Sequence, residues 1–424
     1  MDANQIIDGF RKYIPSKDSQ RSKELSGSDA YEWARLRCMD PFMVTWMRTW
    51  QELYREPYKG ITINGQVRPD LYHLAIDNQD GGAPTVAMVK AARKLLEVTP
   101  LRQREALCKP VDSPEWRSWM NPEIYVFKNG IRLEEVSEDV TAAVYSLMKA
   151  SLSPSGYAKA RGCMKVNGFL GELVDGKGVL NEMSYNFVVF GSPSLTEPWG
   201  WQLYGHHLCM NCFVVGSQMV LSPVFMGAEP NIIDEGPDKG TLLFLEQENI
   251  GVTLMQSLDN EIQKRAQVYP HISGPEIPSW RFHKADQRHL GGAFQDNRVI
   301  PYEGVAISSF SASQQNLVRQ MIALNLCYLP ETALKARLDE ISAHWDETYF
   351  CWIGGFEIGD AFYYKLHSPV VMIEFDHHTG VFLDNKVPLP FHIHTLVRTP
   401  NGNDYGKELL KQYNHNYLID EAAT

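Results

Sequence analysis

Hydrophobic and polar positions change period several times along the chain. Over residues 27–56, aromatic and aliphatic side chains recur at mixed spacings of three and four behind Ser28 and Asp29, which predicts helix with a ready N-cap. The stretch PYKGITINGQVRPDLY then carries Gly60, the Asn64-Gly65 pair and Pro69, the signature of a tight turn between short extended segments. Helical spacing returns over 85–97, where Ala, Leu and Val share one face, and over 138–161. From 183 to 226, aromatic and β-branched residues punctuated by Gly and Pro predict three strands, two of them joined through Val215-Gly216-Ser217. Residues 240–266 and 312–345 have a helical period, 347–398 returns to strands, and a last helix starts at Asp404 or Tyr405. Helices and strands come in blocks, with no regular βαβ alternation and no evident internal repeat. The expected fold class is therefore α+β, a mixed or antiparallel sheet with flanking helices and a mainly helical N-terminal part. The expected organisation is a helical segment at 1–55 packed on a single composite domain at 56–415, with a tail at 416–424.

Composition narrows the classes of function. Of 424 residues, 44% are hydrophobic and 21% charged, with 18 Phe, 19 Tyr and 10 Trp, the make-up of a chain that buries a large core. Lys and Arg total 40 against 51 Asp and Glu, and the net charge of −11 argues against nucleic acid as a partner. The seven Cys are odd in number and irregular in spacing, which fits reduced thiols better than a disulfide framework. No apolar run approaches the roughly 20 residues of a membrane span, and the first residues lack a basic-then-apolar leader. A cytoplasmic protein that does not contact membranes is expected. Without a Walker loop, a GxGxxG opening a helix, a GxSxG or an HExxH, neither a nucleotide cofactor nor a familiar hydrolase template has support. The unusual figure is 13 His in an acidic chain.

Two segments concentrate those histidines. His392 and His394 in PFHIHTLVR lie two apart on a predicted strand, so both imidazoles project from one face and can give a divalent ion two ligands, with a third from elsewhere. The competing reading is a hydrogen-bonded structural pair. His206 and His207 in WGWQLYGHHLCMN are adjacent on another predicted strand and point to opposite faces, so only one joins a given site. A zinc site from His207, Cys209 and Cys212 is opposed by the same alternation, which turns Cys212 away unless a bulge intervenes. Glu374 and Asp376 in VVMIEFDHH place two carboxylates on one face, costly in a core unless paired or bound to an ion. Arg398 keeps the parity of His392 and His394, and its guanidinium suits a substrate carboxylate; the alternative is a buried Arg–Asp pair. Asp404 is a good N-cap, and Arg117 lies in a segment whose simplest role is to pack two tryptophans. The other histidines, His289, His377 and His378 among them, read as surface or isolated core residues.

PYKGITINGQV, SPEWRSWMNPE with GIRLEE, FGSPSLTEPWGWQLYGHHLCMN, SPVFMGAEP, AFQDN with IPYEG, YFCWIGG, and MIEFD followed by HIHTLVRTPNGNDYG occur in that order. As a set they resemble the bacterial and fungal domain-of-unknown-function family numbered thirty-five hundred, over roughly residues 56–415. The resemblance implies one shared domain and no established reaction. It draws attention to Arg117, Trp119, Asn121, Trp199, Trp201, Gly205, His206, His207, Glu374, His392, His394, Arg398, Asn403 and Asp404 as the positions that match the motifs.

Three functions are consistent with these residues. A metal-dependent hydrolase or lyase for a small carboxylate- or carbonyl-bearing metabolite would hold zinc or iron with His207, His392 and His394. In it Glu374 would be fourth ligand or general base, His206, His207 and Asp404 further catalytic groups, and Arg398, Arg117 and Trp201 would meet the substrate. A metal-free cyclase or isomerase would use the imidazoles as general acid and base. A non-catalytic ligand-binding protein would bury them as a hydrogen-bond network.

Overall fold

Capping residues cut the predicted helical stretches more finely than hydrophobic spacing suggests. In the computed structural model, which describes residues 9–75 and 81–418, a short α1 (Gln20–Ser26) precedes α2 (Ala30–Arg37) and α3 (Pro41–Arg55), where spacing alone predicted one helix. Asp29 accepts from the Tyr31 and Glu32 N–H groups, and Asp40 accepts from Phe42 and Met43 with Pro41 at the first helical position. The 138–161 stretch divides in the same way, at the N-cap Ser153 before Pro154. Residues 57–72 form no hairpin, because Thr62 bridges in parallel to the distant Val299 instead of to a neighbour.

The described strands belong to a twelve-stranded mixed sheet with flanking helices, the expected α+β class. Its topology also corrects the expectation of no repeat. One unit runs through α4 (Thr85–Val98), α5 (Leu101–Leu107), β1 (Cys108–Lys109), β2 (Ile131–Arg132), α6 (Glu138–Ser151), α7 (Pro154–Leu173) and the meander β3 (Tyr185–Phe190), β4 (Trp199–Gly205), β5 (Leu208–Val215) and β6 (Gln218–Ala228). The next runs through α8 (Leu245–Ser257), α9 (Asn260–Ala266), β7 (Gln267–Tyr269), β8 (Val305–Ala306), α10 (Ala312–Asn325), α11 (Glu331–Ser342) and the meander β9 (Tyr349–Gly354), β10 (Phe362–His367), β11 (Met372–His377) and β12 (Ile393–Arg398), before α12 (Lys407–Tyr413). In both units one short strand lies parallel and another antiparallel to the first strand of the meander. Gly130 and Gly304 open the antiparallel pieces with φ of 78° and 79°. A Cβ would stand 2.0 Å from the Phe187 carbonyl oxygen at the first and 2.1 Å from that of Phe350 at the second. GIRLEEVS and GVAISSFS share that glycine, the serine before a helix and little else, so similarity of sequence alone does not expose the duplication.

The two meanders meet through their last strands. β6 and β12 pair antiparallel from Ile393 opposite Ala228 to Val397 opposite Val224, so each covers the other's open edge. One sequence expectation changes here. His206 and His207 are not on a strand; they are the two-residue turn between β4 and β5, flanked by the paired Gly205 and Leu208. The N-terminal helices pack on the sheet domain through Trp33, whose indole donates to Glu123 at 3.0 Å, and through Trp50, stacked on Phe294 at 4.8 Å. From residue 419 the expected tail lies outside the described residues. Among the described residues no helix is long and apolar enough to cross a membrane.

His367 and His377 end β10 and β11 in fully buried positions. Burial pushes the His377 imidazole down to about 3 and holds His367 well below its ordinary value. Their folded values lie below the unfolded value of about 6.5, so the unfolded chain binds more protons in between. Stability from this source is complete above about pH 6.5 and is lost as pH falls, at about 1.4 kcal/mol per pH unit for each histidine. Urea midpoints measured with chelator present are expected to drop between pH 7.5 and 5.5; a constant midpoint would show that these imidazoles are already charged in the folded protein.

Candidate metal centre

The seam between the two meanders is where histidines from distant parts of the chain converge. His394 of β12 stands opposite Gly227 of β6, and the absence of a side chain there makes room. A Cβ on Gly227 would lie 2.8 Å from His394 Cδ2 and 3.0 Å from His207 Cδ2. His207 arrives from the β4–β5 turn with φ of 61°, a left-handed conformation that costs a residue with a Cβ about 1–2 kcal/mol. Two backbone bonds hold it: its N–H donates to the Asn121 carbonyl at 3.2 Å and its carbonyl accepts from the Gly227 N–H at 2.7 Å. The turn therefore decides which of the adjacent histidines reaches the seam, and it is His207.

Three Nε2 atoms form a triangle, with His207 to His394 at 3.0 Å, His392 to His394 at 3.1 Å and His392 to His207 at 3.3 Å. Nitrogens about 2.1 Å from an ion would be about 3.4 Å apart in a tetrahedron and about 3.0 Å apart on one face of an octahedron, so the triangle has the dimensions of a ligand set. These groups could hold a metal ion. The His392 Nδ1 donates to the Thr379 carbonyl at 2.7 Å, which leaves its Nε2 lone pair free. Glu229, absent from the sequence-based expectations, shapes that carbonyl's loop by accepting from the N–H groups of Val381, Phe382 and Leu383. All three histidines are buried. Burial holds His207 and His394 well below the ordinary imidazole value, which keeps the neutral, ligating form at neutral pH.

His206 supports the triangle without joining it. Its ring stacks on His207 at 3.9 Å, and its Nδ1 donates to Asn167 Oδ1 at 2.8 Å. Burial brings its imidazole down to about 4. His378 and His289, expected to be isolated, instead form a second group with His394 whose ligand atoms lie within 4.8 Å of one another. Each is backed by a carboxylate. Asp376 Oδ2 is 3.1 Å from His378 Nε2, and Glu374 Oε2 is 3.7 Å from His289 Nδ1. A signal for His378 was present, since residues 374, 376 and 378 share one parity along and just beyond β11. None was present for His289, which a loop delivers.

Several expected site residues are committed elsewhere. Glu374 accepts from the Leu290 and Gly291 N–H groups and, at 2.6 Å, from the Tyr363 hydroxyl. Burial raises its carboxyl, but His289, Tyr363 and the Leu290 N–H outweigh that and hold it well below the usual range. It anchors the loop that carries His289, and among the described residues it joins neither histidine ligand group. Arg398 is fully buried and donates to Asp404 at 3.0 Å and to the carbonyls of Gly291 and Gly292. Asp404 in turn accepts from Ser222 and from the Thr399 N–H, both at 2.7 Å. The buried Arg–Asp pair is thus what forms here, in place of a substrate clamp and a catalytic acid. Arg117 pairs with Asp296 at 2.8 Å and donates to carbonyls at the end of α3, tying the N-terminal helices down. Trp201 is wholly inside the core, donating to Ser151 and stacked on Phe187. A bulge does fall between Met210 and Cys212, yet among the described residues neither Cys209 nor Cys212 joins a ligand group.

Fold and site together define an α+β protein with a duplicated helix-and-meander unit and a buried three-histidine cluster at the seam. The chain matches the family described as Protein of unknown function (DUF3500) over residues 81–407 and belongs to it. The PYKGITINGQV segment lies before the matched stretch. None of the curated proteins and none of the solved structures matches the chain.

The clearance at Gly227 yields a direct prediction. Gly227→Ala is expected to push the His207 and His394 rings apart and to lower affinity for a transition ion by about tenfold or more with the fold intact, a loss comparable to removing a group that orients a ligand. Titration with Zn2+ against a competing chelator checks it; unchanged affinity would show that the triangle is not where the ion binds.

Proposed function

We propose that this chain is a metal-dependent enzyme, a hydrolase or lyase, acting on a small carboxylate- or carbonyl-bearing metabolite. In this reading His207, His392 and His394 hold zinc or iron. The observation that carries it is the triangle of Nε2 atoms, buried, sized for an ion and oriented by the Thr379 carbonyl. An ion with three protein ligands and an open position polarises a carbonyl or lowers the pKa of a bound water. The protein's own part would be to keep the His207 and His394 imidazoles neutral by burial and to present His378 and His289, backed by Asp376 and Glu374, as groups that hold or move a proton beside the reacting atoms. The metal-free reading loses its clamp, because the Arg398 guanidinium is spent on Asp404 and two carbonyls. A cytoplasmic setting, with neither nucleic acid nor membrane as partner, belongs to the proposal and is supported by the acidic charge and by seven cysteines that stand as free thiols.

The test is elemental analysis of protein purified without chelator, followed by turnover of a panel of small esters, lactones and hydroxy acids with metal-loaded and chelator-stripped protein. About one transition ion per chain is expected, with turnover by the loaded form alone. Protein that neither retains nor takes up a transition ion would overturn the proposal.

A further inference from the structure

We infer that the cavity walled by residues 279–298 is the entrance to the histidine centre and that it binds the carboxylate of a small organic acid through Arg298 and Arg281. This rests on the function proposed above and names its substrate class and entry route. The cavity measures about 320 Å³, and Trp280, Arg281, Phe282, His289, Gln295 and Arg298 are among its walls. That size falls at the lower end of small-molecule sites, about 300–1,000 Å³. Another cavity of about 290 Å³, lined by Tyr72, Leu221, Arg337 and Val397, reaches none of the clustered histidines.

Two buried polar groups on the wall lack partners. The His289 side chain is 1% exposed and neither of its ring nitrogens makes a hydrogen bond; its nearest carboxylate oxygen, on Glu374, is 3.7 Å away. On its inner side the His289 ring lies 5.9 Å from that of His394, so a single imidazole separates the cavity from the triangle. Arg281 is fully buried with Nη2 unpartnered, although its Nε meets Glu303 at 3.1 Å and its Nη1 donates to the Arg288 carbonyl. A buried donor left unpaired is destabilising, and an occupant with acceptor oxygens removes that cost.

Arg298 adds a cation. It donates to the carbonyls of Leu290 and Trp280 and makes no ion pair among the described residues. Burial lowers its pKa, as it does for a cation short of a counter-ion. Asp286, on the same wall, and the buried Glu374 are the carboxylates whose charges reach Arg298, and neither is in ion-pair contact with it. A guanidinium fork matches a carboxylate in two parallel hydrogen bonds. At the mouth Trp280 and Phe282 are 46% and 37% exposed, offering aromatic surface to the hydrocarbon part of such an acid.

Calorimetry on the zinc-loaded protein with acetate, succinate and benzoate, each beside its neutral amide, tests this. At least one carboxylate is expected to bind tenfold or more tightly than its amide, and Arg298→Gln to erase that preference while metal content stays unchanged. Gln295→Glu, which leaves both arginines in place and alters a side chain that makes none of their hydrogen bonds, is expected to weaken the same carboxylate at least tenfold and so guards against an Arg298 variant that does not fold. Equal binding of every acid and amide, or a preference that survives Gln295→Glu, would overturn the inference. Metal uptake without carboxylate preference defeats this inference alone. Carboxylate preference that depends on Arg298 in a protein that takes up no metal defeats the proposed function and leaves the anion site standing.

Discussion

Protein carrying His392→Ala and His394→Ala together is expected to emerge from purification without the transition ion that the unaltered chain is expected to retain. The two side chains supply two of the three Nε2 atoms of the triangle, and His207 alone is left facing the seam. Changes to residues that merely orient a ligand cost about 10–100-fold in metal affinity, so loss of two direct ligands should cost well over about a hundredfold. His394 lies within β12 and His392 immediately precedes it; the backbone register of β12 with β6 and β11 does not depend on the imidazoles, and circular dichroism should show the sheet retained. His271, 74% exposed on its side chain and outside the cluster, is the control: His271→Ala should keep the full complement of metal. Elemental analysis of the variants decides the matter, and unchanged metal content in the double variant would place any bound ion away from the seam.

Arg398→Met should produce the largest loss of stability. Arg398 and Asp404 are both fully buried, joined at 3.0 Å, and Asp404 also accepts from Ser222 on β6 and from the Thr399 backbone. Removing one partner of a buried pair strands the other charge in a low-dielectric interior, at a cost of about 3–5 kcal/mol. The arginine also holds the Gly291 and Gly292 carbonyls, in the loop that carries His289, so the damage should reach the metal centre as weaker ion binding. Replacing both partners with apolar residues of similar volume, as in Arg398→Met with Asp404→Leu, should recover much of the loss because no unpaired charge remains. Urea unfolding of the single and double variants measures both effects. A single variant as stable as the parent chain would return Arg398 to the role of a substrate clamp.

Parity along a strand is a local property, and what depended on it could be read directly. His392 and His394 share a face, as do Glu374 and Asp376, because successive side chains in a strand alternate. Arg398 keeps the same parity, yet parity does not say what a guanidinium meets, and the Arg398–Asp404 pair needed the turn at 399–404 to be in place. The His206-His207 step failed for a different reason: a two-residue turn replaces alternation by its own geometry, and the positive φ of His207 has no mark in the sequence. The internal duplication stayed hidden because its units share little beyond one glycine and the serine before a helix, while the strands they build are buried on both faces and carry no distinctive period.

By itself the sequence determined the local periods, the acidic and aromatic composition, the membership of a family and two segments of histidines worth attention. Tertiary structure alone decided which histidines meet. A three-ligand centre draws on a β4–β5 turn, the start of β12 and the gap left by Gly227, brought together because two meanders close on each other's edges. Sequence separation between His207 and His392 leaves no local trace of that closure, since backbone pairing between β6 and β12 is carried by N–H and C=O groups common to every residue.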